Sequence, residues 1–174
     1  MNYQIGIQLL KKKEFNRALN YFENLLNKGN NNIEILFYLG RIYYELNEFK
    51  KSIFFYKKCN DLKQNSPNIL FNLARVLQSS GKILQAKKIY LDLIEINSNN
   101  VRAYFELLNI NIGNINNNFI NNLNNLLNNK NTTLFKKSLI NYIFSKIKKK
   151  ENKLIEEISY LNLSHKQCYN SKYN

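Results

Sequence analysis

EILFYLGRIYYELNEFKKSIFFYKK, residues 34–58, reads as two amphipathic helices, with apolar side chains recurring every three to four positions in each. Gly40 stands inside the first of them, where glycine weakens a helix by roughly 1 kcal/mol relative to alanine. A residue with that local cost needs an explanation from outside its own helix.

The explanation is a period of 34 residues. Gly6, Gly40 and Ala74 form one ladder of small residues at this spacing; Ala18, Ser52 and Ala86 form a second. Phe22, Tyr56 and Tyr90 form a ladder of aromatics, and no insertion is needed to keep the three in register. Other columns agree: Ile5 with Leu39 and Leu73, Leu9 with Tyr43 and Leu77, and Phe15 with Phe49 and Ile83 at the start of each second helix. In two helices that cross closely, a side chain at the small positions holds the backbones apart, so contact offsets the cost of Gly40.

These columns resemble the tetratricopeptide repeat, in which a leucine, a small residue and a tyrosine mark the first helix and a small residue then an aromatic mark the second. The resemblance implies an all-α fold, a right-handed α-α superhelix built from helical hairpins. Three repeats are clear, at 1–32, 33–66 and 67–100, and two degenerate hairpins follow at 101–131 and 132–163. Together they predict one helical-repeat domain over 1–163 and a disordered tail over 164–174, where apolar content is low. The first repeat begins two positions late by the family register, which suggests a trimmed N-terminus or an open end. Ser66 followed by Pro67 marks the start of the third, as a cap residue and a proline at the first helical position.

In the second half the helical period persists while the markers fade. Tyr104, Leu107 and Leu108 keep the face of a fourth first helix, which Gly113 is expected to end early. The following helix places Phe119, Ile120, Leu123, Leu126 and Leu127 on one face and asparagine nearly everywhere else. Asparagine is a mediocre helix former, so this element depends on tertiary packing. Two more helices are expected at about 133–148 and 151–162, as a fifth unit or as the terminal cap a solenoid needs.

Composition narrows the function classes. The net charge is +14 at pH 7, from 22 lysines and only 4 arginines, alongside 34 asparagines and 20 isoleucines, the bias expected where AT-rich codons are favoured. The charge is either a compositional solvated face or a positive surface for nucleic acid, and KIKKKENK at 146–153 is either a solvated turn or an anion contact. No apolar run approaches the roughly 18 residues of a membrane span, and two cysteines make no disulfide framework, so a cytoplasmic protein is expected. His165 is the single histidine and the 12 acidic residues are scattered, so no catalytic constellation, metal set or cofactor loop is expected. Cys168 with His165 supplies two of the four ligands a structural zinc needs.

In the tetratricopeptide family the second, fifth, ninth and twelfth positions of each first helix face the concave groove. Carried onto this chain, the resemblance points to Glu34, Phe37, Arg41 and Tyr44, then Asn68, Phe71, Arg75 and Gln78, then Arg102, Phe105, Asn109 and Ile112. Three of the four arginines fall on these positions, two of them one repeat apart. Arginine presents a planar, permanently charged fork for carboxylates, and the neighbouring aromatics offer apolar faces. The alternative is that these arginines bond to carbonyls or acids of adjacent helices, such as Glu45 or Glu106. Phe37 and Arg41 do not match the lysine and asparagine of the two-carboxylate clamp known in chaperone cochaperones.

The stretches LGRIYYELNEFKKSI and FKKSLINYIFSKIKKKENKLIEEISYLN are also similar to the bacterial lipopolysaccharide-assembly tetratricopeptide family. That likeness implies a shortened member, with the cytoplasmic face of a bacterial inner membrane, reached through a partner, as the alternative to a cytoplasmic location. It lacks the family's metal knuckle, since Ser171 stands where a paired cysteine would follow Cys168. The expectation is therefore a non-enzymatic interaction scaffold that takes an acidic or aromatic peptide or protein partner in its groove, with nucleic-acid contact as the alternative.

Overall fold

The computed structural model describes residues 3–29, 32–110 and 116–173, and among them every regular element is an α-helix. Ten helices follow in order: α1 (Gln4–Lys11), α2 (Phe15–Asn27), α3 (Ile33–Glu45), α4 (Phe49–Leu62) and α5 (Pro67–Ser79). Then come α6 (Ile83–Ile96), α7 (Val101–Asn109), α8 (Asn117–Asn128), α9 (Leu134–Lys150) and α10 (Leu154–Tyr173). The first six reproduce the three clear hairpins read from the sequence. Gly113, expected to end a helix, lies outside the described residues.

Asparagine, unfavourable inside helices, is used to start them. The side chains of Asn32, Asn100 and Asn116 accept hydrogen bonds from the backbone N–H groups of Glu34, Ala103 and Phe119, and the Thr133 hydroxyl accepts one from Lys136. Each satisfies a donor that the first helical turn cannot. Ser66 does not act this way, because its side chain makes no capping bond; the start of α5 rests on Pro67.

The turns inside the hairpins repeat more strictly than the side chains around them. Lys13, Asn47 and Gly81, spaced by 34, have φ of 60°, 60° and 80°. After each, an N–H reaches back five residues: Glu14 to the Leu9 carbonyl at 2.9 Å, Glu48 to Tyr43 at 2.8 Å and Lys82 to Leu77 at 2.8 Å. This closure satisfies the carbonyls at the end of the first helix. The fifth hairpin uses the same turn, with Asn152 at φ 57° and Lys153 donating to the Lys148 carbonyl at 3.0 Å. Left-handed backbone costs a residue with a Cβ about 1–2 kcal/mol, and lysine has no local hydrogen bond to recover it. Lys13→Gly is therefore expected to raise stability by about 1 kcal/mol, read as a higher urea midpoint at unchanged m-value; an equal or lower midpoint contradicts the assignment.

By contact the chain divides into two compact units, Met1–Ile89 and Tyr90–Asn174, with the boundary inside α6. In the first unit α1 packs on α2, α2 on α3, α3 on α4 and α4 on α5. Here the small-residue ladders find their cause. A Cβ built on Gly40 would lie 3.1–3.2 Å from three ring atoms of Tyr56, and one on Gly6 would lie 2.5 Å from two ring atoms of Phe22. What the glycines admit is the aromatic ring of the second helix, the next column of the same repeat. Ser52, of the second small ladder, donates its hydroxyl to the Gly40 carbonyl at 2.7 Å in the buried interior. Two of the apolar clusters among the described residues lie in this unit. The larger holds Leu10, Ala18, Phe22, Ile35, Leu39, Ile42 and Tyr43, and the smaller Leu36, Cys59 and Ile69.

In the second unit Tyr104, Leu108, Leu123, Leu126, Ile140, Ile143, Phe144 and Ile147 form the core, with Phe119, Ile120 and Leu127 packed against it. The apolar face read in the asparagine-rich segment is the buried face of α8. The segment from 164, expected as a disordered tail, is instead the second half of α10. Its burial relies on polar pairs that an apolar count misses. The Ser138 and Ser164 hydroxyls share a bond at 3.3 Å, and the Asn141 side-chain amide donates to Gln167 at 2.8 Å. All of Ser138, Asn141 and Ser164 are buried. Cys168 accordingly sits half-buried on a helix.

Candidate partner-binding groove

The basic run at 146–153 proves to be partly neutralised. Lys148 binds Glu151 at 3.1 Å and Glu156 at 3.0 Å, and Lys153 binds Glu151 at 3.1 Å. These carboxylates hold the Lys148 amine above the ordinary lysine range. The four side chains fasten the turn between α9 and α10, so two of the five lysines of this run have carboxylate partners.

The groove positions behave differently. In the first unit Phe37, Arg41 and Tyr44 lie along α3, with Phe71, Arg75 and Gln78 along α5, and the two helices are in contact. Arg41 is exposed; Phe37, Tyr44, Phe71, Arg75 and Gln78 are half-buried. Arg75 lies over the Tyr44 ring, 5.0 Å from its centre, and donates from Nη2 to the Tyr44 hydroxyl at 3.3 Å. That hydroxyl also stands 3.4 Å from the Ser79 Oγ, so α3 and α5 are bridged at this level by one arginine, one tyrosine and one serine. Phe37 packs edge-on against Tyr56, with ring centres 5.5 Å apart.

Among the ion pairs of the described residues none joins Arg41 to Glu45. Arg75 has taken a tyrosine. In the second unit Arg102 and Asn109 are exposed on α7, and Phe105 is half-buried against the Tyr142 ring at 5.9 Å. Asn109 donates to the Glu106 carboxylate at 3.4 Å. Ile112 lies outside the described residues.

The sequence reading missed a cavity of about 260 Å³ at the N-terminal ends of α3 and α5. Three positions from the groove register, Glu34, Phe37 and Asn68, meet around it, and they are joined by Ile33, Ile69 and Lys63. The signal for Ile33 and Ile69 is present in the sequence as apolar residues opening each first helix. Lys63 arrives from the end of α4, which periodicity within the first helices cannot reveal.

Electrostatics around this face is governed by burial and by the two arginines. Burial lifts the Tyr56 hydroxyl above the usual tyrosine range, and the nearby guanidinium of Arg41, then that of Arg75, pull it back. Burial, aided by the Glu34 carboxylate, pushes the Cys59 thiol up to about 12. Tyr43, donating to the Glu23 carboxylate at 2.6 Å, is likewise raised, mainly by burial. All three are neutral when folded and lose protons more readily when unfolded, so each stabilises the fold below the unfolded pKa, and that contribution fades as pH rises. Melting temperature is expected to hold between pH 7 and about 9 and then to fall towards pH 12, starting where an unfolded thiol titrates; a flat profile to pH 11 contradicts this.

Comparison with known proteins bears on the fold. Over its whole length the chain superposes on a crystal structure of MamA, with a TM-score of 0.67, 17% identity and 100% of each chain covered. The fold is that of the tetratricopeptide-repeat family. A second tetratricopeptide-type structure, residues 41 to the end of MamA from Desulfovibrio magneticus RS-1, gives a TM-score of 0.64 at 13% identity, covering 94% of this chain and 93% of that one. YrrB, described as a TPR protein with an unusual peptide-binding site, gives 0.60 at 15% identity, covering 97% and 89%. Residues 11–93 match the family model of anaphase-promoting complex, cyclosome, subunit 3. No curated protein matches the sequence. No described helix is long and apolar enough to cross a membrane.

Proposed function

We propose that this tetratricopeptide-repeat protein is a non-catalytic scaffold whose groove between the first helices binds a peptide or protein segment of acidic and aromatic character. The observation that carries the reading is the state of the arginines. Arg41 is exposed and Arg75 is oriented by a tyrosine, and neither is paired to a carboxylate among the described residues. An oriented guanidinium with free donors beside aromatic faces is suited to a carboxylate on a partner chain. Extended concave surfaces are how helical solenoids hold their partners. The alternative of nucleic-acid contact loses support at its densest basic run, where Lys148 and Lys153 are held by Glu151 and Glu156.

The test is capture of the partner at native expression on immobilised protein, comparing the natural sequence with a variant carrying both Arg41→Glu and Arg75→Glu. Loss of the captured protein at unchanged helical content is expected, and equal recovery overturns the reading.

A further inference from the structure

We infer that the groove reads a short extended segment in which a large apolar side chain, seated between the starts of α3 and α5, precedes or follows an acidic residue at a distance of two or three positions. This rests on the groove reading above and specifies what the groove selects.

The cavity at the starts of α3 and α5 has an apolar floor of Ile33, Phe37 and Ile69 and a polar rim carrying Glu34, Lys63 and Asn68. The recess is open to solvent and, at about 260 Å³, has room for a phenyl-sized side chain. Ile69 is buried while Asn68 is exposed, as expected of a floor and a rim. Such a recess, apolar below and polar at the edge, is how a single side chain is anchored within a larger interface.

The spacing follows from helix geometry. Residues 33–38 of α3 line the cavity and Arg41 lies about one to two turns further along, which at 1.5 Å per residue is roughly 5–12 Å. An extended chain advances about 3.3 Å per residue, so two or three residues span the middle of that interval. At the far end the Tyr44–Arg75–Ser79 bridge ties α3 to α5. Charge complementarity sets the identity of the second group. Arg41 is exposed with no carboxylate of this chain paired to it among the described residues, whereas the cavity rim carries both Glu34 and Lys63 and so offers no net positive charge to an acid. The preferred segment is therefore apolar at one point and acidic at the other.

The experiment uses fluorescein-labelled eight-residue peptides of serine and glycine bearing one phenylalanine and one aspartate, in both orders and at spacings of one to five, read by anisotropy. Wild-type protein is compared with Asn68→Trp, which fills the cavity from an exposed position, and with Arg41→Glu. Spacings of two or three in one order are expected to bind at least tenfold more tightly than spacings of one or five. Asn68→Trp should cost about tenfold for the full peptide and nothing further for the peptide with serine in place of phenylalanine. Arg41→Glu should couple in the same way to the aspartate. Binding indifferent to spacing, undiminished by Asn68→Trp, or absent for every peptide overturns the inference. If partner capture still depends on Arg41 and Arg75 in that case, the groove reading survives without it; if capture is also indifferent, both fall.

Discussion

Replacing Gly40 by leucine is expected to lower stability by about 3–5 kcal/mol and to remove most of the cooperative unfolding transition of the first unit. The place a Cβ would take is already 3.1–3.2 Å from three atoms of the Tyr56 ring, which is 1% exposed. That ring cannot retreat freely, because Phe37 stands edge-on against it with centres 5.5 Å apart. Overpacking alone costs about 1–3 kcal/mol. Parting α3 from α4 also endangers the bond from the Ser52 hydroxyl to the Gly40 carbonyl, and a buried polar group left unpaired costs about 1–3 kcal/mol more. Domains are stable by only about 5–15 kcal/mol, so the sum is a large fraction of the whole.

Alanine is the informative control. Ala74, at the same position of the next repeat, is fully buried. Gly40→Ala gains roughly 1 kcal/mol of helix propensity and asks Tyr56 to yield by a few tenths of an ångström, so it should fall within about 1 kcal/mol of wild type. Urea unfolding followed by circular dichroism distinguishes these outcomes. A leucine variant with a midpoint close to that of alanine would show that the close crossing is not what glycine is there for.

The same position explains how much of the fold was legible. A tight crossing leaves a mark in any sequence because only two or three side chains are small enough to sit there, and Gly6, Gly40 and Ala74 display it. The hairpin turn leaves none. Its left-handed residue is Lys13, Asn47 or Gly81 in turn, since one residue of moderate strain is tolerated wherever the backbone bonds behind it close. The second half of α10 was hidden for a related reason. Ser138, Asn141 and Ser164 look like solvent-facing residues when only polarity is counted, yet they are buried where hydroxyl meets hydroxyl and Asn141 donates to the half-buried Gln167 across two helices. At the groove, register placed Phe37, Arg41, Tyr44 and Arg75 on the facing helices α3 and α5. It did not anticipate that Arg75 would settle on Tyr44, a contact that depends on side-chain reach between helices and not on spacing within one.

That contact sharpens what charge reversal should do. With Arg41→Glu and Arg75→Glu combined, affinity for the partner is expected to fall at least 100-fold. A hydrogen bond to a charged group contributes about 1.5–3 kcal/mol, two such contacts are removed, and like charges then face one another. Stability should change little by comparison, because Arg41 is exposed and the arginine–tyrosine contact surrendered at Arg75 is worth about 0.5–1 kcal/mol near the surface. Each reversal removes two units of charge, so the double variant carries +10 where the natural chain carries +14, and the drop itself must be controlled for. Arg17→Glu with Lys50→Glu makes the same change at two exposed positions off the groove register, one of them an arginine already paired with Glu14. If the loss comes from the groove, this control binds as the natural protein does and only the first variant fails. If both lose affinity equally and the loss tracks ionic strength alone, the interaction is a diffuse effect of net charge, and the two arginines have no special part in it.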